Sequence, residues 1–189
     1  ARYEMCIDAG VCSVSDDPEL YDSLESDFYA TGVTVEEAMA FCEGDGGMLI
    51  TEYQWEKTAR GAAPSMQLHP WGDDPGGCEY HPWEGCTARP FSVTKFPDAV
   101  SPYGVRQMGS SYELTQSRHT ASYRGISDTD PTGEMAWTWD PDGAFTKRGY
   151  FWYRNDMMST RESSATLRLV ETYGMRHSRG SCTRMVLIQ

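Results

Sequence analysis

The 189-residue sequence contains no Cys-x-x-Cys pair, no His-x-x-x-His or His-Glu-x-x-His helix, no Gly-x-Ser-x-Gly elbow and no phosphate-cradling glycine loop. Those absences exclude a zinc ribbon, a thioredoxin-like redox motif, a paired-histidine metal helix, an α/β-hydrolase nucleophile and a P-loop. The four histidines, His69, His81, His119 and His177, stand singly, which favours loop bracing over metal binding. No apolar run is long enough to cross a bilayer, so no membrane span is expected. Lysine is scarce, three against thirteen arginines, and no cysteine falls between Cys86 and Cys182.

Against these gaps stand 39% hydrophobic residues, 12% aromatics, 18 glycines and 10 prolines. Such a chain can bury one aromatic-stiffened core and carries many turns, so a single loop-rich domain over 1–189 is expected, with residues 1–30 an N-terminal strand and acidic loop and 31–189 the core. Charge is uneven. Residues 1–100 hold 19 acidic and 5 basic side chains, net −14, and residues 101–189 hold 9 and 11, net +2, which sum to the chain's −12. Nucleic acid is therefore no partner for the N-terminal half. Seven arginines follow residue 147. They read either as internal braces paired with carboxylates or as one face of a head-to-tail contact between copies.

Local signals are strongest between residues 34 and 61. Thr34-Val-Glu-Glu37 is a capping box opening a helix whose stripe is Val35, Ala38, Met39, Phe41 and Cys42 and which ends near Gly44 and Gly46-Gly47. Thr51 and Gln54 form a second box, and Glu52 suits the positive end of the helix dipole. Trp55, Thr58 and Ala59 then face a core while Glu52, Glu56, Lys57 and Arg60 point elsewhere, and Gly61 ends the helix. Met48-Leu49-Ile50 is extended between the two helices.

These residues resemble a known family. Ala40-Phe-Cys42, Gly46-Gly-Met-Leu49, Thr51-Glu52, Trp55-Glu56, Ala59-Arg-Gly61 and Trp71-Gly-Asp73 are similar to the core motif of the formylglycine-generating enzymes, or sulfatase-modifying factors. Ser101-Pro-Tyr-Gly104 with Met108, and Arg148-Gly149 with Trp152, resemble two later motifs, and the similarity runs over roughly residues 30–189. The resemblance implies an α+β, C-type-lectin-like fold: two short helices, a small twisted antiparallel sheet, and loops held by disulfides or calcium.

It also implies a chemistry, which the sequence does not carry. The family's oxidases convert a substrate cysteine to formylglycine with a cysteine pair that binds copper(I), a soft ion suited to thiolates. The positions nearest that pair are Arg154 and Met158. Neither replaces a thiolate, so the oxidase activity is expected to be lost. Calcium is the other implied cofactor. The family's calcium-binding segment corresponds to Gly109-Ser-Ser-Tyr-Glu-Leu114, which retains Glu113 but has Ser111 in place of asparagine. Ser111 and Glu113 are thus the candidate ligands of a structural Ca2+. The loop Trp139-Asp-Pro-Asp-Gly143 reads as a turn rather than a second calcium site.

Six cysteines allow fifteen pairings and favour an oxidising compartment, secreted, periplasmic or on the cell surface. The expected set is Cys6–Cys12, Cys42–Cys182 and Cys78–Cys86. Tyr150-Phe-Trp-Tyr-Arg-Asn155 is rich in the residue types that dominate interfaces, and strand alternation leaves about half of them outward. Tyr150, Trp152, Tyr153, Arg154 and Asn155 are therefore the candidate binding surface. The expected function is a non-catalytic extracytoplasmic module that binds a protein or small extracellular ligand, or copies of itself. The alternatives are an oxidoreductase acting on a cysteine of a protein substrate, and a variable ligand-binding protein of the kind diversified by retroelements.

Overall fold

The computed structural model describes residues 2–12, 33–64, 67–74, 76–80, 92–108, 112–118, 145–149, 168–171, 178–180 and 182–184; for the strands beyond residue 167 it describes backbone pairing. The described elements, in chain order, are α1 (Arg2–Asp8), α2 (Val35–Gly44), β1 (Gly47–Leu49), α3 (Glu52–Arg60), β2 (Tyr112–Arg118), β3 (Phe145–Gly149), β4 (Arg168–Glu171), β5 (Ser178–Gly180) and β6 (Cys182–Arg184). This is a small α+β architecture. No described helix is long and apolar enough to cross a membrane.

The expected N-terminal strand is a helix where it is described. Its end is pinned by the Cys6–Cys12 disulfide, and the N–H groups of Val11 and Cys12 both donate to the carbonyl of Cys6, at 3.1 and 3.2 Å. That closed turn satisfies carbonyls a seven-residue helix would otherwise leave to water. The other two helices start where the sequence places them. Glu37 N–H donates to Thr34 Oγ1 at 3.1 Å and Thr34 N–H to Glu37 Oε2 at 2.7 Å. Gln54 N–H donates to Thr51 Oγ1 at 3.2 Å and Thr51 N–H to Gln54 Oε1 at 3.0 Å. Gly61, at φ 83, ends α3.

Two sheets organise the strands. β1 pairs antiparallel with β6, Leu49 standing opposite Cys182. The larger sheet has the order β4-β3-β2-β5 and is antiparallel as expected, except that β5 runs parallel to β2. β2 is covered on both faces. Leu114 joins Val33, Val35, Ala38, Cys42 and Leu49 in a cluster on the α2 side, while its neighbour Glu113 turns to Trp55 of α3, as strand alternation requires. Ile50, Trp55, Ala59 and Met108 form a second apolar cluster. A third, Phe96 with Ala99, supports Trp71 and Tyr80.

Candidate functional site

The α3 face of the sheet is ionic. Its centre is Arg148, fully buried on β3 and directly opposite Glu113 of β2 in the strand register. The Arg148 guanidinium donates through Nη1 to Glu52 Oε1 at 3.3 Å and through Nη2 to Glu56 Oε2. It lies 4.9 Å from the centre of the Trp55 ring, within cation–π range. Trp55 Nε1 in turn donates to Glu113 Oε2 at 3.0 Å, and Arg60 Nη1 donates to Glu56 Oε1 at 3.0 Å from the next turn of α3.

The network corrects the sequence reading of α3. Glu52, expected to point away from the core, is fully buried, as is Trp55, and Tyr53 joins them. Helical periodicity alone treats a carboxylate as solvent-facing. Burial succeeds here because Arg148 supplies the opposite charge and hydrogen bonds that a buried carboxylate requires. Ser117 Oγ, on β2, also accepts from the Glu52 backbone N–H at 2.9 Å. Sequence reasoning missed the burial of Glu52, and although it read the arginines after residue 147 as possible internal braces, it did not single out Arg148. One signal existed: Lys147 and Arg148 are adjacent in a strand, so they point to opposite faces, and a sheet covered on both sides buries both. Both are indeed buried.

The network fixes the end of β3, immediately before the candidate recognition segment. Tyr150, Trp152, Tyr153, Arg154 and Asn155 lie outside the described residues, as do Met158, Ser111 and the Asp140/Asp142 turn. Glu113, the other expected calcium ligand, is buried and commits one carboxylate oxygen to the Trp55 indole. Among the described residues no group of three or more His, Cys, Asp and Glu side chains gathers to hold a metal.

The donor set for copper(I) fits poorly. The cysteines described with their side chains are all in disulfides: Cys6 with Cys12, and Cys42 and Cys78 each bonded as well. Among the described residues no cysteine is free to serve as a thiolate. The partners expected for Cys42 and Cys78, the side chain of Cys182 and Cys86, lie outside the described residues.

The histidine–tryptophan loop resolves as a brace. His69 is buried and stacks on Trp71, ring centres 5.2 Å apart, and Trp71 stacks on Tyr80 at 5.4 Å. Tyr80 sits so close over Gly76 that a Cβ there would fall 2.3 Å from its Cδ2. The ladder is thus occupied by its own loop. His81 lies outside the described residues.

Residues 15–179 match the family model described as the sulfatase-modifying factor enzyme 1-like domain. Comparison with curated proteins gives no match.

Proposed function

Since the chain belongs to the sulfatase-modifying factor enzyme 1-like domain family, we propose that it is a member that keeps the family's scaffold, of C-type-lectin-like form, without the copper oxidase chemistry, and that it serves in extracytoplasmic recognition or assembly. The observation that carries this reading is the cysteine inventory. No cysteine falls between Cys86 and Cys182, and Arg154 and Met158 stand nearest the place of the family's thiolate pair. Copper(I) needs soft ligands; a guanidinium cannot bind it, and a thioether is a far weaker donor than a thiolate. The disulfides of Cys6, Cys12, Cys42 and Cys78 support the reading by withdrawing four more sulfurs from metal binding.

Recognition is supported by what stands beyond β3. Arg148 and its carboxylates tie β3, up to Gly149, to α3, and the sequence that follows, Tyr150-Phe-Trp-Tyr-Arg-Asn155, has the Tyr, Trp and Arg content of an interface.

The family match favours a second reading. It continues through the Arg148 region to residue 179, as it would in an oxidoreductase acting on a cysteine of a protein substrate. Copper(I) titration under anaerobic conditions, in competition with a chromogenic chelator, separates the two. The recognition reading predicts that the chelator keeps the copper. Retention of one copper(I) per chain by the non-reduced protein would favour the oxidase.

A further inference from the structure

Residues 92–108 form a loop with one apolar set inside and another outside. Phe96 and Ala99 are buried beside Trp71 and Tyr80, while Val93, Tyr103 and Val105 are exposed, Tyr103 by 53%. Internal hydrogen bonds hold the loop in one shape. Ser101 Oγ accepts from the N–H groups of Tyr103 and Val105 at 3.3 and 3.2 Å, and Ser101 N–H donates to the carbonyl of Val105 at 2.9 Å. Gln107 ties two turns together: its N–H donates to the carbonyl of Ala99 at 2.7 Å and its Nε2 to the carbonyl of Ser92 at 3.4 Å. Gln107 does so at φ 57, a conformation that a non-glycine residue keeps only where its surroundings impose it.

The outer surface of this loop differs in charge from the rest of the chain. Lys95 and Arg106 are exposed beside Val93, Tyr103 and Val105, with Asp98 the single acidic residue of 92–108, in a chain of net charge −12. A rigid, exposed tyrosine flanked by aliphatic residues and an arginine has the make-up of a binding hot spot.

A surface of matching character lies at the α1–α2 end. Glu4, Met5 and Asp8 are exposed on α1, Met5 by 70%, and exposed Val11 follows. Val11 Cγ1 lies 3.4 Å from where a Cβ on Gly44 would stand, and Glu43, the residue before Gly44 in α2, is exposed. Tyr3 and Phe41, ring centres 5.6 Å apart, join the two helices beneath. One region is apolar and cationic, the other apolar and anionic.

We infer that the 92–108 loop docks on the α1–α2 end of a second copy of this chain, head to tail. The inference rests on the recognition reading above and names its partner. Because the two surfaces differ, each contact leaves one loop and one end unused, so the product is an open chain of copies or a closed ring rather than a two-fold dimer. Apolar contact supplies attraction where net charge repels, and local charge complementarity sets the orientation.

Sedimentation velocity on the full chain tests this with two variants whose altered residues are exposed: Tyr103→Ser with Arg106→Ser in the loop, and Met5→Ser with Asp8→Ser at the end. Circular dichroism establishes that each is folded. The wild-type protein is expected to associate as concentration rises, and each variant alone to associate at least about thirtyfold more weakly, the loss of a single hot spot. An equimolar mixture of the variants should restore a one-to-one complex and nothing larger, since each supplies the surface that the other lacks. A wild-type monomer at every concentration, variants that associate like the wild type, or a mixture without complex would each overturn the inference. None of those outcomes yields peptide oxidation, so failure of the docking and failure of the non-oxidase reading are told apart.

Discussion

Arg148 is the residue on which the described structure turns. It has no exposed surface, it joins β3 to α3 through Glu52 and Glu56, and its guanidinium stands beside the Trp55 ring. Removing one partner of a buried ion pair strands the other charge and costs about 3–5 kcal/mol. Arg148→Met is therefore expected to lower the unfolding free energy by that amount in urea titrations. Adding Glu52→Gln should return part of the loss, because the carboxylate left without its cation is then gone. An Arg148→Met protein as stable as the wild type would contradict the network. Of this arrangement the sequence showed the Trp55 anchor and both capping boxes. It did not show that Glu52 is buried, since a carboxylate's burial depends on a cation 96 positions away, and no local pattern records that distance.

At the level of elements, helix starts were legible because their signals are local. Thr34 with Glu37 and Thr51 with Gln54 complete their capping boxes within four residues. The sheet was less legible. β2 takes β5 as a parallel neighbour, a pairing between residues 112–114 and 178–180 that depends on tertiary closure. Of the stretch expected to hold an N-terminal strand, Arg2–Asp8 forms a helix whose short length is compensated by the Cys6–Cys12 turn, and a six-residue disulfide spacing is compatible with either state. The β1–β6 pair supports a second staple. Leu49 packs in the same cluster as Cys42, Cys42 is disulfide-bonded, and Leu49 pairs in register with Cys182. We propose that Cys42 and Cys182 are joined, which would limit the unfolded ensemble by about 4–5 kcal/mol in the chain-entropy model for a loop of more than about 100 residues. Peptide mapping of the non-reduced protein should recover Cys42 and Cys182 in one linked fragment and Cys78 with Cys86 in another. Linkage of Cys42 to Cys78 would overturn both assignments.

On the scale of the whole molecule, the chain combines an acidic N-terminal half with a C-terminal half of net +2. Part of that C-terminal cationic content is internal. Arg148 is a brace between strand and helix, as the sequence reading anticipated for its arginines. Arg106, outside the set of seven arginines that follow residue 147, is exposed and belongs to the surface inferred above to dock on a second copy. The family assignment was legible from residues 34–73 because capping, core and helix-end residues fall there in one compact run, and the family model covers residues 15–179. Those same residues serve folding, so the assignment carries the scaffold and leaves the chemistry to the region after Arg148. There the deciding fact is compositional: no cysteine between Cys86 and Cys182.

Mass spectrometry of a cysteine-containing peptide incubated with the copper-loaded protein, oxygen and a thiol reductant tests that point most directly. The account predicts that the peptide's cysteine is recovered without conversion to formylglycine at any time. Formylglycine accumulating in proportion to protein concentration would contradict it and restore the oxidase to this scaffold.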